Sequence, residues 1–532
     1  MNKFYITTPI YYVNAKPHIG HAYTTVAADV LVRFHKLQGE DVFFLTGTDE
    51  HGLNIQRKAE DAKKDPQAFV DENAAAFKEY WEKLDIKYDN FMRTTDEKHK
   101  AAVQKALQTL YDKGAIYKGE YEGYYCVACE QFKNEKDLVN GRCPDHDIIV
   151  EKVREECYLL KMSGDVQKNL IEKIKQDEFR IAPEKYKNEI LSFLEGQELR
   201  DVSISRKNVS WGIPLPFDPE HTTYVWADAF LYYLTGIGWD GTSESSTLGF
   251  WPADTQLIGK DILRVHATIW PVMLMHLGIE FPKLLFVHGH LLSGGRKMSK
   301  TIGNVISIDE MLEKFGVDGT RYLLMSAGTF GEDVDVTMER LTEKYNADLA
   351  NGLGNLLSRT VTLTEKLFNG SVPQSNLEKS KNIPLKRPYV LNTKTGQKEA
   401  AQFNYHMVGL FAEQVREIIE EDLKGIKLNE VINRVKDFID FCNSLVDTYK
   451  PWDPKSSNIP KNMRAENNDV MYSLLESLRI IGLILKPLLP TTSKSIFVQL
   501  GISDALAQDF EWGGLKSGAK LGEKKVLFPR IK

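Results

Sequence analysis

The chain has 532 residues, a formal net charge of −6, five cysteines and 42% hydrophobic residues. Its length holds several cores and three or four domains, and its composition is that of an ordinary globular chain. These figures exclude a disulfide-built scaffold, a chain that spans a membrane on long apolar helices, and nucleic-acid binding by bulk charge, though not by a local basic face.

Met1 to Phe4 lead straight into an extended segment that reaches Tyr12, with no signal peptide ahead of it, and because five cysteines in so long a chain make no disulfide framework, a reducing cytoplasm is the expected compartment. Val26, Val30, Phe34 and Leu37 recur at helical spacing and predict a helix from about Ala22 to Leu37. His18-Ile19-Gly20-His21 therefore stands at a strand-to-helix junction. Backbone N–H groups and the helix dipole there favour an anion. Gly20 lets a phosphate or a base approach the backbone, and the two imidazoles can donate to oxygens that gain charge in a transition state. The plainer alternative is a pair of histidines that only start a helix.

Asp41 to Thr46 is a continuous apolar run, as a buried parallel strand requires. With the first strand and helix it makes a right-handed βαβ unit. The following loop, Gly47-Thr48-Asp49-Glu50-His51-Gly52, would line a ligand crevice. Neither G-x-G-x-x-G nor G-x-x-x-x-G-K-[ST] is present, so a nucleotide would have to bind through His18 to His21 and a lysine loop downstream.

Cys126-Val127-Ala128-Cys129 and Cys143-Pro144-Asp145-His146 follow, thirteen residues apart. They form a Cys3His set with the spacing of one structural zinc; four protein ligands leave no open position for catalysis. The alternative is reduced cysteines that bind nothing. The Gly- and Tyr-rich surroundings read as hairpins inserted in the α/β pattern, and Cys157 and Cys442 read as core residues. Leu199 to Trp211 is strand-like, Pro214-Leu215-Pro216 a turn, and Tyr224 to Phe230 the approach to a helix carrying Tyr232 and Tyr233. Gln256 to Gly259 is a short strand, Asp261 to about Leu277 a helix, and Leu284 to His288 a buried strand that completes a second βαβ unit. Gly289 to Arg296 is a glycine-containing loop ending in Lys297-Met298-Ser299-Lys300. Lysines so placed suit a polyphosphate; otherwise they make a solvated basic turn.

From Leu341 the periodicity is helical, with Leu428, Val431, Val435, Phe438, Cys442, Leu445 and Tyr449 on one stripe of a bundle. Asn369 to about Thr395 is polar with scattered prolines and reads as a surface loop. The basic end, Lys516 to Lys532, would be strapped on by Val526-Leu527-Phe528. The expected fold is α/β: a doubly wound, Rossmann-like domain in two halves (1–115 and 223–340), split by an insertion (116–222) whose zinc knuckle covers about 126–146, then an α-helical domain and tail (341–532).

His18-Ile19-Gly20-His21 and Lys297-Met298-Ser299-Lys300, in this order, resemble the HIGH and KMSKS motifs of class I aminoacyl-tRNA synthetases. The second departs only at Thr301, which keeps the hydroxyl. Ile10-Tyr11-Tyr12-Val13-Asn14, Thr46 to Gly52, the single knuckle, Tyr224 to Ala229 and Phe286-Val287-His288-Gly289 are similar to the methionyl-tRNA synthetases in particular, over nearly the whole length. The resemblance implies a methionine pocket of Ile10, Tyr12, Trp226, Ala229, Tyr233 and His288, with Asp49 on the ammonium group. It implies ATP over His18, Gly20 and His21, with Gly259 and Asp261 near the ribose and Lys300 on the phosphates. Asn355, Arg359 and Trp452 would read the CAU anticodon of tRNA(Met).

Physical chemistry agrees with these roles. Aromatic walls suit a flexible, polarisable thioether, although the same aromatics would also serve as plain core. A carboxylate facing an ammonium is a charge-assisted contact; the alternative for Asp49 is a helix N-cap. Asn355 and Arg359 lie four apart on one helical face, and with Trp452 they offer hydrogen bonds and a stacking plane to unpaired bases. The implied reaction attacks the α-phosphate of ATP with the methionine carboxylate, releases pyrophosphate, and passes methionine from the adenylate to tRNA for initiation and elongation. His18, His21, Lys297 and Lys300 would be the catalytic residues, with Mg2+ sharing the charge of ATP and catalysis resting on positioning and electrostatics. Three alternatives stand beside it. Another class I synthetase would usually carry a large editing insertion, for which this chain has no room. A nucleotidyltransferase would leave the helical domain without a purpose. A non-catalytic tRNA-binding relative would not need His18, His21, Lys297 and Lys300. Without the C-terminal OB-fold that some relatives carry, a monomer is expected.

Overall fold

In a computed structural model, the described residues are 2–127, 130–133, 135, 138–144, 147–242, 248–298, 304–375, 408–452, 467–502 and 510–532. The chain forms two compact units, Met1–His290 and Leu291–Lys532.

The first unit is built on a six-stranded sheet, every neighbouring pair parallel. Across it run Asn90–Arg93, Asp41–Asp49, Lys3–Tyr12, Thr255–Gly259, Leu285–His288 and Ile181–Ala182. The chain order grows outward from the pair Lys3–Tyr12 and Thr255–Gly259, to Asn90–Arg93 on one side and to Leu285–His288 on the other. That pair is the topological switch point, where open α/β sheets place their ligands. The doubly wound reading of the sequence therefore holds. The last strand, Ile181–Ala182, comes from the insertion, which the sequence pattern did not assign to this sheet. Two residues are too few to show a period.

The rest of the insertion holds the helices Asp165–Lys175 and Glu184–Gly196, a three-stranded antiparallel sheet of Pro214–Leu215, Asp218–Thr223 and Ser205–Arg206, and a four-stranded antiparallel sheet of Gln131–Lys133, Ile116–Cys126, Glu151–Leu160 and Val202–Ser203. Lys118–Glu156 (3.0 Å), Arg154–Glu120 (3.1 Å) and Lys152–Glu122 (3.2 Å) pair across its two long strands. The predicted strand-like stretch from Leu199 to Trp211 is two short pieces, Val202–Ser203 and Ser205–Arg206. The main core gathers Ile258 and Val287 of the sheet with Phe230, Tyr232, Tyr233 and Trp270.

In the second unit, the hairpin Leu291–Ser293 with Arg296–Lys297 leads to the helix Ile308–Ser326. A π-helix, Tyr345–Gly354, runs directly into the α-helix Asn355–Phe368. The helices Val408–Lys424, Leu428–Tyr449, Asn467–Leu485 and Pro490–Gln499 complete the bundle. Glu476 and Arg479, both fully buried, pair at 2.6 Å. The Glu476 carboxylate also accepts the backbone N–H groups of Gly513, Gly514 and Leu515, which clasps the C-terminal segment. A carboxylate so fully satisfied tolerates burial. The tail is held differently from expectation. Phe528 is buried against Tyr345, and Asn346 bonds both backbone groups of Ile531, but Val526 is 76% exposed and straps nothing. Of the polar stretch 369–395, residues 376–395 lie outside the described residues. Among the described residues no helix is long and apolar enough to cross a membrane.

Candidate active site

The carboxyl ends of four adjacent strands meet along one edge of the sheet. Tyr12 is the register partner of Asp49, and Gly259 that of His288. Gly259 ends its strand, and the 3-10 turn Lys260–Ile262 that holds Asp261 opens the helix Leu263–Leu277.

His18 is the N-cap of the helix Ile19–Leu37, which begins earlier than its apolar stripe suggests. The cap is reciprocal. His18 Nδ1 accepts the N–H of Gly20 (3.1 Å), and His21 Nδ1 accepts the N–H of His18 (3.3 Å). The rings stack with centroids 3.7 Å apart. Because each Nδ1 is an acceptor, each neutral ring carries its proton on Nε2. Burial and the neighbouring His18 hold the His21 pKa well below the usual histidine value, with only Asp261 acting against them, so His21 is neutral at pH 7. A Cβ on Gly20 would stand 2.9 Å from His18 Cε1, so only glycine leaves room for the cap.

Asp49 is 7% exposed and its Oδ1 has no hydrogen-bond partner. It caps nothing: the next helix, Leu53–Asp61, has Gly52 as its N-cap. Burial pushes the Asp49 carboxyl well up, and the charges of Asp228, Glu130 and Glu50 add to the effect. Those three acids have their own partners. Glu50 is gripped by Arg93 at 2.7 and 2.9 Å. Asp228 takes His51 (2.6 Å) and His99 (2.7 Å), which outweigh burial and hold its carboxyl below the usual range. Glu130 accepts from Tyr12 (3.0 Å), the N–H of Asn54 (2.7 Å) and Tyr125. An acid with one unused oxygen among other acids makes a receptor for a small cation.

The aromatic residues are already tied down. The half-buried Trp226 donates its indole N–H to the Glu130 carbonyl at 3.1 Å. Tyr233 donates to His266 Nε2 (2.9 Å), while His266 Nδ1–H donates to the Ile262 carbonyl (2.9 Å). Burial lowers the His266 pKa to about 4, so that ring stays neutral. His288 donates from Nδ1 to the Gly289 carbonyl (2.8 Å) and accepts the Thr24 hydroxyl at Nε2 (2.7 Å). Tyr12, Tyr233 and His288 therefore spend their polar ends inside the protein and present wall rather than hydrogen bonds. Ile10 and Trp226 pack at the border of the main core, and Ala229 is buried in the short helix Val225–Ala229.

Glu130, His266, Thr24 and the Asp228 pair were not picked out by sequence reasoning. Asp228 and His51 fall inside stretches that the family resemblance singles out, and Glu130 directly follows Cys129. Their roles rest on long-range partners that no local pattern signals.

Cys126 and Cys143 are buried together with Val150 in one small cluster. Cys129 and His146 lie outside the described residues, and among the described residues no three candidate ligands gather around a metal position. In the second unit Lys297 closes the short hairpin, and Lys300 and Thr301 lie outside the described residues. Arg359 pairs with Asp447 (2.6 Å), and its guanidinium lies 6.0 Å from the ring of Trp452, which is 45% exposed. Asn355 is exposed one turn earlier on the same helix.

Comparison with known proteins places this geometry. The family model described as "tRNA synthetases class I (M)" matches residues 4–156 and 146–361. A methionine–tRNA ligase of Clostridium acetobutylicum is 43% identical over 530 residues, covering 99% of this chain and 78% of that protein. That of Thermotoga maritima is 38% identical over 536 residues, covering 99% and 80%. The solved Mycobacterium tuberculosis methionyl-tRNA synthetase in complex with methionyl-adenylate is 33% identical with a TM-score of 0.88, and 100% of each chain is covered. Its apo form is 30% identical with a TM-score of 0.81, covering 100% of this chain and 99% of that one. The sheet order, the histidine cap at its switch point and this similarity along the whole length agree: the chain belongs to the methionyl-tRNA synthetases, the methionine–tRNA ligases of class I.

Proposed function

We propose that Asp49 and the pocket of Ile10, Tyr12, Trp226, Ala229, Tyr233 and His288 bind methionine, and that His18, Gly20, His21, Gly259, Asp261 and Lys300 bind ATP. As a member of its family the enzyme joins methionine to tRNA(Met) at the expense of ATP with Mg2+, and the catalytic reading stands over the non-catalytic tRNA binder. The observation that carries the residue assignment is Asp49, a buried acid whose free oxygen and paired neighbours suit one ammonium group.

Each group then has a task. Asp49 orients the amino group and the aromatic walls hold the thioether chain, leaving the carboxylate to attack the α-phosphate. The Nε2–H groups of His18 and His21 donate to α-phosphate oxygens as charge develops there. Lys297 and Lys300 neutralise the departing pyrophosphate. No covalent enzyme intermediate is required. Cys126, Cys129, Cys143 and His146 hold one structural zinc; the shared burial of Cys126 and Cys143 supports this, since two ligands of one site must lie together. The enzyme acts as a cytoplasmic monomer.

ATP–pyrophosphate exchange with each of the twenty amino acids, without tRNA, tests the assignment. Exchange with methionine alone is expected, from protein carrying one zinc per chain. Exchange with another amino acid instead would discard the pocket.

Anticodon reading by Asn355, Arg359 and Trp452 has a separate test. Base–aromatic stacking contributes roughly 1–3 kcal/mol per base. Trp452→Ala should therefore lower kcat/KM for tRNA by about 5- to 150-fold and leave exchange unchanged. Equal charging by parent and variant would remove Trp452 from the interface.

A further inference from the structure

We propose that Glu130 is a positioning residue of the methionine pocket, holding Tyr12 with its carboxylate and Trp226 with its backbone carbonyl. The inference rests on the reading of Tyr12 and Trp226 as pocket walls.

Glu130 is 4% exposed and gathers five donors. Its Oε1 accepts the Tyr12 hydroxyl at 3.0 Å and the Asn54 N–H at 2.7 Å. Its Oε2 accepts the Tyr125 hydroxyl. Its carbonyl accepts the Trp226 indole N–H at 3.1 Å and the Tyr224 hydroxyl. Tyr12 ends the first strand, Asn54 lies in the first turn of Leu53–Asp61, Tyr125 belongs to the insertion sheet, and Trp226 opens the second half of the catalytic unit. One residue thus joins its own insertion sheet to three segments that are distant in sequence, two of which supply pocket walls.

The surroundings are shaped for it. The helix Leu53–Asp61 has no side-chain cap of its own, and the Glu130 carboxylate serves its exposed N–H from a remote part of the chain. Gly52, at φ +107°, makes room: a Cβ there would stand 2.7 Å from Glu130 Oε1 and 2.9 Å from the Tyr12 hydroxyl. Glu130 itself holds φ 47°, a left-handed backbone that a residue with a side chain adopts rarely. In that conformation its carboxylate meets the Tyr12 hydroxyl and its carbonyl meets the Trp226 indole N–H.

A fixed wall costs the ligand less ordering on binding. Loss of Glu130 should therefore appear in methionine binding before it appears in ATP binding. Glu130→Ala is expected to raise the methionine KM at least tenfold in the exchange assay, with the ATP KM within twofold of the parent and the zinc content unchanged. Glu130→Gln, whose amide oxygen can still accept from Asn54 and Tyr12, should recover most of the loss. Glu130→Asp withdraws the carboxylate by one methylene and should raise the methionine KM at least threefold; it decides the matter if the alanine variant does not fold. A methionine KM within twofold of the parent in the alanine variant, or in the aspartate variant where it must decide, overturns the proposal. So does a rise shared equally by both KM values together with a fall in zinc content, which marks a purely structural role. Absence of methionine-dependent exchange in the parent would instead overturn the pocket reading, and this proposal with it.

Discussion

Asp49→Asn is expected to cut kcat/KM for methionine in exchange by about 10²–10³-fold while the ligand-free protein melts at or above the parent temperature at pH 7. The two effects share one cause. Asp49 is buried among carboxylates with an unused oxygen, so its charge is unfavourable until a cation arrives. Taking one partner from a buried ion pair costs about 3–5 kcal/mol, and each 1.4 kcal/mol is tenfold. The stability sign follows from linkage. The folded carboxyl has a raised pKa, so the folded state holds this proton more tightly than the unfolded chain. Its stabilising contribution is full below about pH 4, the unfolded value, and is lost as pH rises through the folded pKa. Asparagine removes that loss. Methionine binds the ionised form, so its affinity in the parent should fall as pH is lowered through the raised Asp49 pKa; in the variant this dependence should vanish. Exchange kinetics across pH and melting curves of both proteins check it. Parent-like kcat/KM in the variant would show that the ammonium group binds elsewhere.

The same residue shows how far the sequence reaches. The parallel strands were legible because Asp41 to Thr46 and Leu284 to His288 are continuous apolar runs, and that periodicity fixed which loops meet at the switch point. The sequence could place Asp49 in such a loop, with a helix cap as its alternative role. What decides between them is the state of the other acids. Glu50 is satisfied by Arg93, forty-three positions away, and Asp228 by His51 and His99. Pairings of that separation leave no local pattern. The polar ends of Tyr12, Tyr233 and His288 are likewise fixed by partners far along the chain, Glu130, His266 and Thr24. In the tail, Val526-Leu527-Phe528 reads as one apolar run, yet only Phe528 finds an aromatic partner, at Tyr345.

His18→Asn and His21→Gln separate the two things the histidines do. Both side chains are caps in this structure, and a cap alone would explain their presence at a helix start. Asparagine is among the best N-cap residues, and glutamine at the third helical position can reach back to the N-cap N–H as His21 does. Each substitution therefore keeps the helix start, and stability should change by less than about 1 kcal/mol. Neither replacement carries an Nε2–H at the position the imidazoles give it. If those protons meet the α-phosphate, each variant should lose about 10²–10³-fold in the exchange rate, the effect of removing one preorganised donor. The methionine KM should stay near the parent value, since neither ring belongs to the pocket walls. The double variant should cost less than the product of the two single losses. The rings are stacked at 3.7 Å and His21 Nδ1 holds the His18 N–H, so removing one ring already loosens its partner. Full activity in both single variants, with unchanged melting temperature, would reduce His18 and His21 to helix caps and move the α-phosphate contacts onto the backbone of the helix start.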